Sequence, residues 1–156
     1  MNSAYRGESS RKGWTTEADY IDGQRTDAAT LAEDLDADPR ARLLLLREAG
    51  ELVGTVWLEP VADSGVWYLG MLTVNPERQS GGVGRRLLTG AEDWVRAAGG
   101  TRIRMTVVSI RSTLIAWYQR RGYVLTGETR PFPYGDASIG QPRRDDLEFV
   151  VMEKAL

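Results

Sequence analysis

The chain has 156 residues, enough to bury a core in one domain spanning 1–156, and its hydrophobic and charged fractions, 42% and 27%, are ordinary for a globular protein. It contains no cysteine and no histidine, which excludes disulfides, thiolate metal sites, acyl-cysteine routes, the Ser-His-Asp triad and histidine as a general base, so no metal is expected. The net charge of −2 is unevenly spread: residues 1–76 hold 7 basic and 13 acidic side chains, residues 77–121 hold 9 and 3, and residues 122–156 hold 4 and 6.

Residues 1–5 read as a helix end. Residues 6–26 carry Gly, Ser and Thr without periodicity and read as loop or short turns. Thr26 or Asp27 can cap a helix running to about Asp38, with Leu31 and Leu35 on one face. The runs Ala41–Ala49 and Glu51–Glu59 are strand-like and flank Gly50, which predicts a hairpin. A turn at Asp63-Ser64-Gly65 leads to a strand over 66–74, stopped by Asn75-Pro76.

Val83, Leu87, Leu88, Ala91, Trp94, Val95 and Ala98 form one apolar stripe at the helical period, ended by Gly99-Gly100. Thr101–Ser109 alternates as a half-buried strand. Arg111–Arg121 is a second helix, with Leu114, Ile115 and Tyr118 on one face and Gly122 as terminator. Tyr123–Arg130 is a strand, Pro131–Arg144 a Pro- and Gly-containing loop, and Leu147–Glu153 the last strand. This order predicts an α+β or α/β fold with a mixed sheet. No apolar segment approaches the ~20 residues needed to span a bilayer, and the first residues lack the apolar core of a signal peptide. A cytoplasmic location without membrane contact is therefore expected.

Arginines concentrated in the middle of an acidic chain point to a locally held anion. The acidic surroundings would repel a long polyanion, so nucleic acid is not an expected partner. The segment that could hold such an anion is Arg78-Gln79-Ser80-Gly81-Gly82-Val83-Gly84-Arg85, between a strand and the long helix. Glycines allow positive φ and close backbone approach, and the unpaired first amides of a helix favour phosphate. The segment lacks the lysine of a P-loop, and Leu87 stands where a dinucleotide fingerprint needs its third glycine.

From Val74-Asn75-Pro76 through Gln79-Ser80-Gly81-Gly82-Val83-Gly84, the sequence resembles the GNAT superfamily of N-acetyltransferases, whose signature [QR]-x-x-G-x-[GA] follows a strand ending in V-x-P. A second element of that superfamily, Y-x-x-x-G-[FY], is matched by Tyr118-Gln119-Arg120-Arg121-Gly122-Tyr123 at the spacing of one helix and one strand. The resemblance covers about residues 42–156. It implies a three-layer α+β sandwich with a mixed, mostly antiparallel central sheet flanked by helices. The family begins with a strand, but none is predicted before residue 41, so that first strand is missing. The uncovered edge would admit pairing with another copy, a homodimer.

The resemblance also implies acetyl-CoA as cosubstrate. Its pyrophosphate would lie on the backbone of Gln79, Ser80, Gly81, Gly82, Val83, Gly84 and Arg85, and its pantetheine arm along Leu72, Thr73 and Val74. Arg111 stands where the family usually has asparagine and is read as a contact to phosphate or pantetheine. The implied reaction is direct transfer of an acetyl group to a primary amine in a ternary complex. Backbone amides near Leu72 would stabilise the oxyanion, and Tyr118 would protonate the departing thiolate. An alkylamine is mostly protonated at neutral pH, and removing its proton costs about 4 kcal/mol. Glu59 is the candidate base, acting through a water. Trp14, Glu17, Tyr68, Phe132 and Tyr134 are the candidate acceptor-pocket residues. The acidic first segment suggests a small or peptidic amine of net positive charge as acceptor. The alternative is a CoA-sensing or partner-binding module on the same fold, without turnover.

Overall fold

The computed structural model describes residues 1–156. Its first ten residues agree with the helix end expected over 1–5 and depart from the loop or short turns expected after it. They form two single-turn helices, α1 (Asn2–Tyr5) and α2 (Gly7–Ser10). Asn2 ties this segment to the twenties, because its side chain accepts from the amides of Arg25 and Thr26 and donates to the Thr26 carbonyl. A two-residue strand, β1 (Ile21–Asp22), follows. Asp27 caps α3 (Ala28–Ala37) by accepting from the Thr30 amide at 2.9 Å, as its residue type predicts.

The hairpin is present as β2 (Arg42–Glu48) and β3 (Glu51–Pro60). Ala49 and Gly50 both have positive φ, 48° and 85°, which suits the twist of a two-residue hairpin turn. Next come β4 (Val66–Val74), a 3₁₀ turn over Pro76–Gly81, and α4 (Val83–Ala97). The remaining elements are β5 (Arg102–Val108), α5 (Ser112–Gln119), β6 (Val124–Pro131), β7 (Gln141–Pro142) and β8 (Glu148–Ala155).

Six strands form one sheet in the order β2-β3-β4-β5-β8-β6. All neighbours are antiparallel except β4 and β5. This is the expected mixed α+β sheet with β2 at its edge and no strand outside it. β1 pairs instead with β7, joining the N-terminal segment to the 131–144 loop. Both strands fell in segments read as loop, since two residues carry no periodicity to detect.

The apolar stripe of α4 (Val83, Leu87, Leu88, Ala91, Val95) is buried against the sheet, where Val56, Leu58, Leu69 and Ile103 face it. Each of these valine, leucine and isoleucine side chains contributes about 1.5–3 kcal/mol by leaving water. That burial fixes the start of α4 at the end of β4. No helix is long and apolar enough to cross a membrane.

One irregularity positions the site. Between Thr55↔Thr73 and Trp57↔Gly70 the β3–β4 register shifts, so Met71 and Leu72 together oppose Val56. Met71 has φ of 47°, a conformation costly for a side-chain-bearing residue and characteristic of functional sites. Parallel pairing of β4 with β5 is confined to Val66–Tyr68 against Arg102–Arg104. Beyond Tyr68 the two strands part, and that edge of β4 has no strand beside it.

Candidate functional site

The glycine segment is built from its caps. The Asn75 side chain accepts from the Glu77 amide at 3.0 Å and starts the 3₁₀ turn. Gly82 then has φ of 74°, and a Cβ on it would meet nothing within 4 Å. Glycine is therefore required there by the backbone, and the space above it is open to a ligand. Val83 is buried with Val53 and Val74, which pins the first turn of α4 to the end of β4. The first amides of α4 point outward without helical partners.

Arg85 and Arg121 border the same cleft. Arg121 lies 3.6 Å over the Trp117 ring and donates to the Trp117 carbonyl at 2.7 Å. Burial, then the charges of Arg120 and Arg85, push its guanidinium below the usual value. Helix amides, an open glycine and nearby guanidinium groups are donors whose chemistry suits a phosphate.

A groove runs from this loop along Leu72, Thr73 and Val74 to Tyr118, with Gln79, Gly82 and Gly84 on its wall. The Tyr5 hydroxyl donates to the Leu72 carbonyl at 2.8 Å. Gln79 spans the groove's edge, accepting from the Trp14 amide at 2.9 Å while its Nε2 lies 3.5 Å from the Val74 carbonyl. Trp14 lines this groove beside Trp117, rather than the inner cavity. Ser80 and Gly81 belong to the 3₁₀ turn and do not line the groove.

An inner cavity opens between the separated ends of β4 and β5. Tyr5, Leu72, Arg111, Leu114 and Tyr118 line both spaces and form the passage between them. Tyr118 is buried, in edge contact with Trp117 and Tyr123. Burial, then the nearby Tyr5, push its phenol well above the ordinary value, so it holds its proton. The Tyr68 hydroxyl bridges to Thr106 Oγ1 at 3.0 Å across the gap. Phe132 stacks on Phe149 in the cavity wall. Tyr134 lies outside both spaces, and its hydroxyl accepts from the Leu147 amide.

Glu17 and Arg111 meet at this wall. Glu17 accepts from Arg6 Nε at 3.1 Å and from Arg111 at 2.8 Å, and Arg111 also donates to Thr15 Oγ1 at 2.6 Å. Arg111, read from sequence as a phosphate or pantetheine contact, thus has its donors turned to Glu17 and Thr15. Glu17, read as an acceptor contact, has both oxygens occupied. The other acids behind the expectation of a cationic acceptor are also engaged. Glu8 and Asp19 pair with Arg11, Asp22 pairs with Arg143, and Asp27 caps α3. These pairings hold the acids in place, while residues 1–76 keep their excess of 13 acidic over 7 basic side chains.

Glu59 accepts from Trp57 Nε1 at 3.0 Å. It lines an outer cavity that shares Arg25, Tyr68, Gly70 and Met71 with the inner one. Four site residues escaped the sequence reading: Tyr5, Arg25, Trp117 and Arg121. Trp117 precedes the Tyr118 motif and Arg121 lies inside it, so both had a signal there. Tyr5 and Arg25 lie in aperiodic chain, where only the fold brings them to β4.

A family model described as the acetyltransferase (GNAT) family matches residues 6–123. The chain is 34% identical over 100 residues to an IAA acetyltransferase of Azospirillum brasilense, covering 64% of this chain and 63% of that protein. It is 32% identical over 126 residues to an amino-acid acetyltransferase of Azotobacter vinelandii, covering 75% of this chain and 27% of that protein. It therefore spans under two thirds of the first relative's length and about a quarter of the second's. A GNAT family acetyltransferase from Elizabethkingia anophelis, whose crystal structure has acetyl-CoA bound, shares the fold at a TM-score of 0.64 and 17% identity, covering 83% of this chain and 84% of that one.

Proposed function

The chain belongs to the acetyltransferase (GNAT) family, and from that premise we propose that it transfers an acetyl group from acetyl-CoA directly to a primary amine in a ternary complex. The observation that carries this reading is the continuous path from Gly82, along the strand-free edge of Leu72–Val74, to Tyr118 and the inner cavity. The residues present fit the cosubstrate: the space above Gly82 is open, and Arg85 and Arg121 border it. The loop amides and these arginines would hold the phosphates, and the exposed edge of β4 would align the pantetheine arm.

When bound, acetyl-CoA supplies an activated thioester. The chain's own groups do the rest. Backbone amides near Leu72, held by the Met71 bulge, stabilise negative charge developing on the carbonyl oxygen. Tyr118, kept neutral by its burial, donates its proton to the leaving sulfur. Glu59 receives the amine proton through water in the outer cavity. Binding both substrates next to each other removes much of the entropic barrier.

One observation favours the sensing alternative: the carboxylate in the inner cavity's lining, Glu17, is fully engaged. A single experiment separates the two readings. Thermal stabilisation by acetyl-CoA together with thiol release on adding amines supports transfer. Stabilisation without release from any amine supports a sensor.

A further inference from the structure

Three guanidinium groups line the inner cavity: Arg6, Arg25 and Arg111. Arg6 is spent on Glu17 and on the carbonyls of Asp22 and Ile139, and Arg111 on Glu17 and Thr15. Arg25 differs. Its Nε is buried without a hydrogen-bond partner, and its guanidinium lies 5.6 Å over the Tyr5 ring, a face that offers no oxygen. It borders the inner and the outer cavity alike. No hydrogen bond or ion pair engages its side chain, so its cavity-facing guanidinium is available to pair with an anion that enters.

We infer that Arg25 is the anchor for a carboxylate on the acceptor, which makes the acceptor an amine carrying a carboxylate on an apolar frame; this rests on the transfer reading above. Guanidinium matches carboxylate with two parallel hydrogen bonds. The charge balance agrees: Glu17 neutralises one of its two arginines, and Arg25 adds a further positive charge to the cavity. Met71, Met105, Phe132, Ile139 and Phe149 supply the apolar wall. The Tyr5 ring under Arg25 is itself held by the Leu72 carbonyl, so the anchor is coupled to the strand where the acyl group would lie. The acceptor's carboxylate thereby sets the distance of its amine from that strand.

The test uses matched pairs, L-leucine with L-leucinamide and L-phenylalanine with L-phenylalaninamide, in a thiol-release assay with acetyl-CoA. The wild type should favour the acid of each pair at least about tenfold in kcat/KM. Arg25→Gln should bring the two members within about threefold, through a higher KM for the acid, and Arg25→Lys should restore part of the preference. Stabilisation by acetyl-CoA, unchanged in these variants, shows that the loop remains folded. An amide used as well as its acid, or a preference that survives Arg25→Gln, overturns the assignment, as does release confined to amines without a carboxylate. If no amine releases thiol, transfer itself fails. The anchor is then decided by affinity: the CoA-loaded protein must bind N-acetyl-L-leucine more tightly than N-acetyl-L-leucinamide, and equal binding refutes it.

Discussion

The Tyr5 hydroxyl donates to the Leu72 carbonyl at 2.8 Å, although 67 residues separate them in sequence. This bond ties the N-terminal segment to the strand edge where the pantetheine arm is proposed to lie. Tyr5→Phe removes it and leaves the ring in place under Arg25. The loss should be about 1 kcal/mol of stability, or about 3 °C in Tm for a chain of this size. Thermal unfolding checks it. An unchanged Tm would mean that the bond contributes nothing in solution.

Gly82→Val addresses the loop. The left-handed backbone at Gly82 penalises any side chain by about 1–2 kcal/mol, and the valine would occupy the open space above the helix amides. Acetyl-CoA should lose at least tenfold in affinity by calorimetric titration. Retained affinity would place the phosphates elsewhere.

Tyr118→Phe should lower kcat by about 10²-fold or more while leaving acetyl-CoA affinity within about twofold, the magnitude expected for loss of a positioned acid. Because burial raises the Tyr118 phenol, its neutral form persists to higher pH than a free tyrosine's. The wild-type rate should thus rise with pH as the amine deprotonates and show no falling limb up to about pH 10. A falling limb below that, absent in Tyr118→Phe, would show the phenol titrating early.

Glu153 gives a stability test away from the site. Burial opposes its charge, but hydrogen bonds from Arg102 and Arg104 outweigh that and hold its carboxyl below the ordinary value of 4.5. A depressed folded value means that the contribution is present above the unfolded value and is lost as pH falls through the folded one. Glu153→Gln should cost about 1–2 kcal/mol at neutral pH. The cost should shrink as the medium is acidified below about pH 4. A gap between variant and wild type that widens in acid would contradict the assignment.

Most of the scaffold was legible because its elements carry periodicity or punctuation. The stripe from Val83 to Val95, the Ala49-Gly50 turn and the Asn75-Pro76 stop each identify their element locally. The glycine segment was legible for the same reason, since Gly82 meets a backbone need that no other residue meets cheaply. Three things were not legible. β1 and β7 are two residues each, and only their mutual pairing defines them. Glu17 and Arg111 lie 94 residues apart, so nothing in the sequence shows that one consumes the other. Arg25 is notable for a partner it lacks, and that can be seen only once every neighbour is in place.

The central claim, acetyl transfer between substrates bound side by side, is tested most directly by following [1-¹³C]acetyl-CoA with an amine acceptor in NMR. The account predicts that the labelled carbon leaves the thioester and appears in the acceptor's amide, mole for mole with free CoA, with no labelled protein intermediate and no release when the acceptor is omitted. Label that stays in the thioester while acetyl-CoA is firmly bound, or that accumulates on the protein before reaching the acceptor, would contradict it.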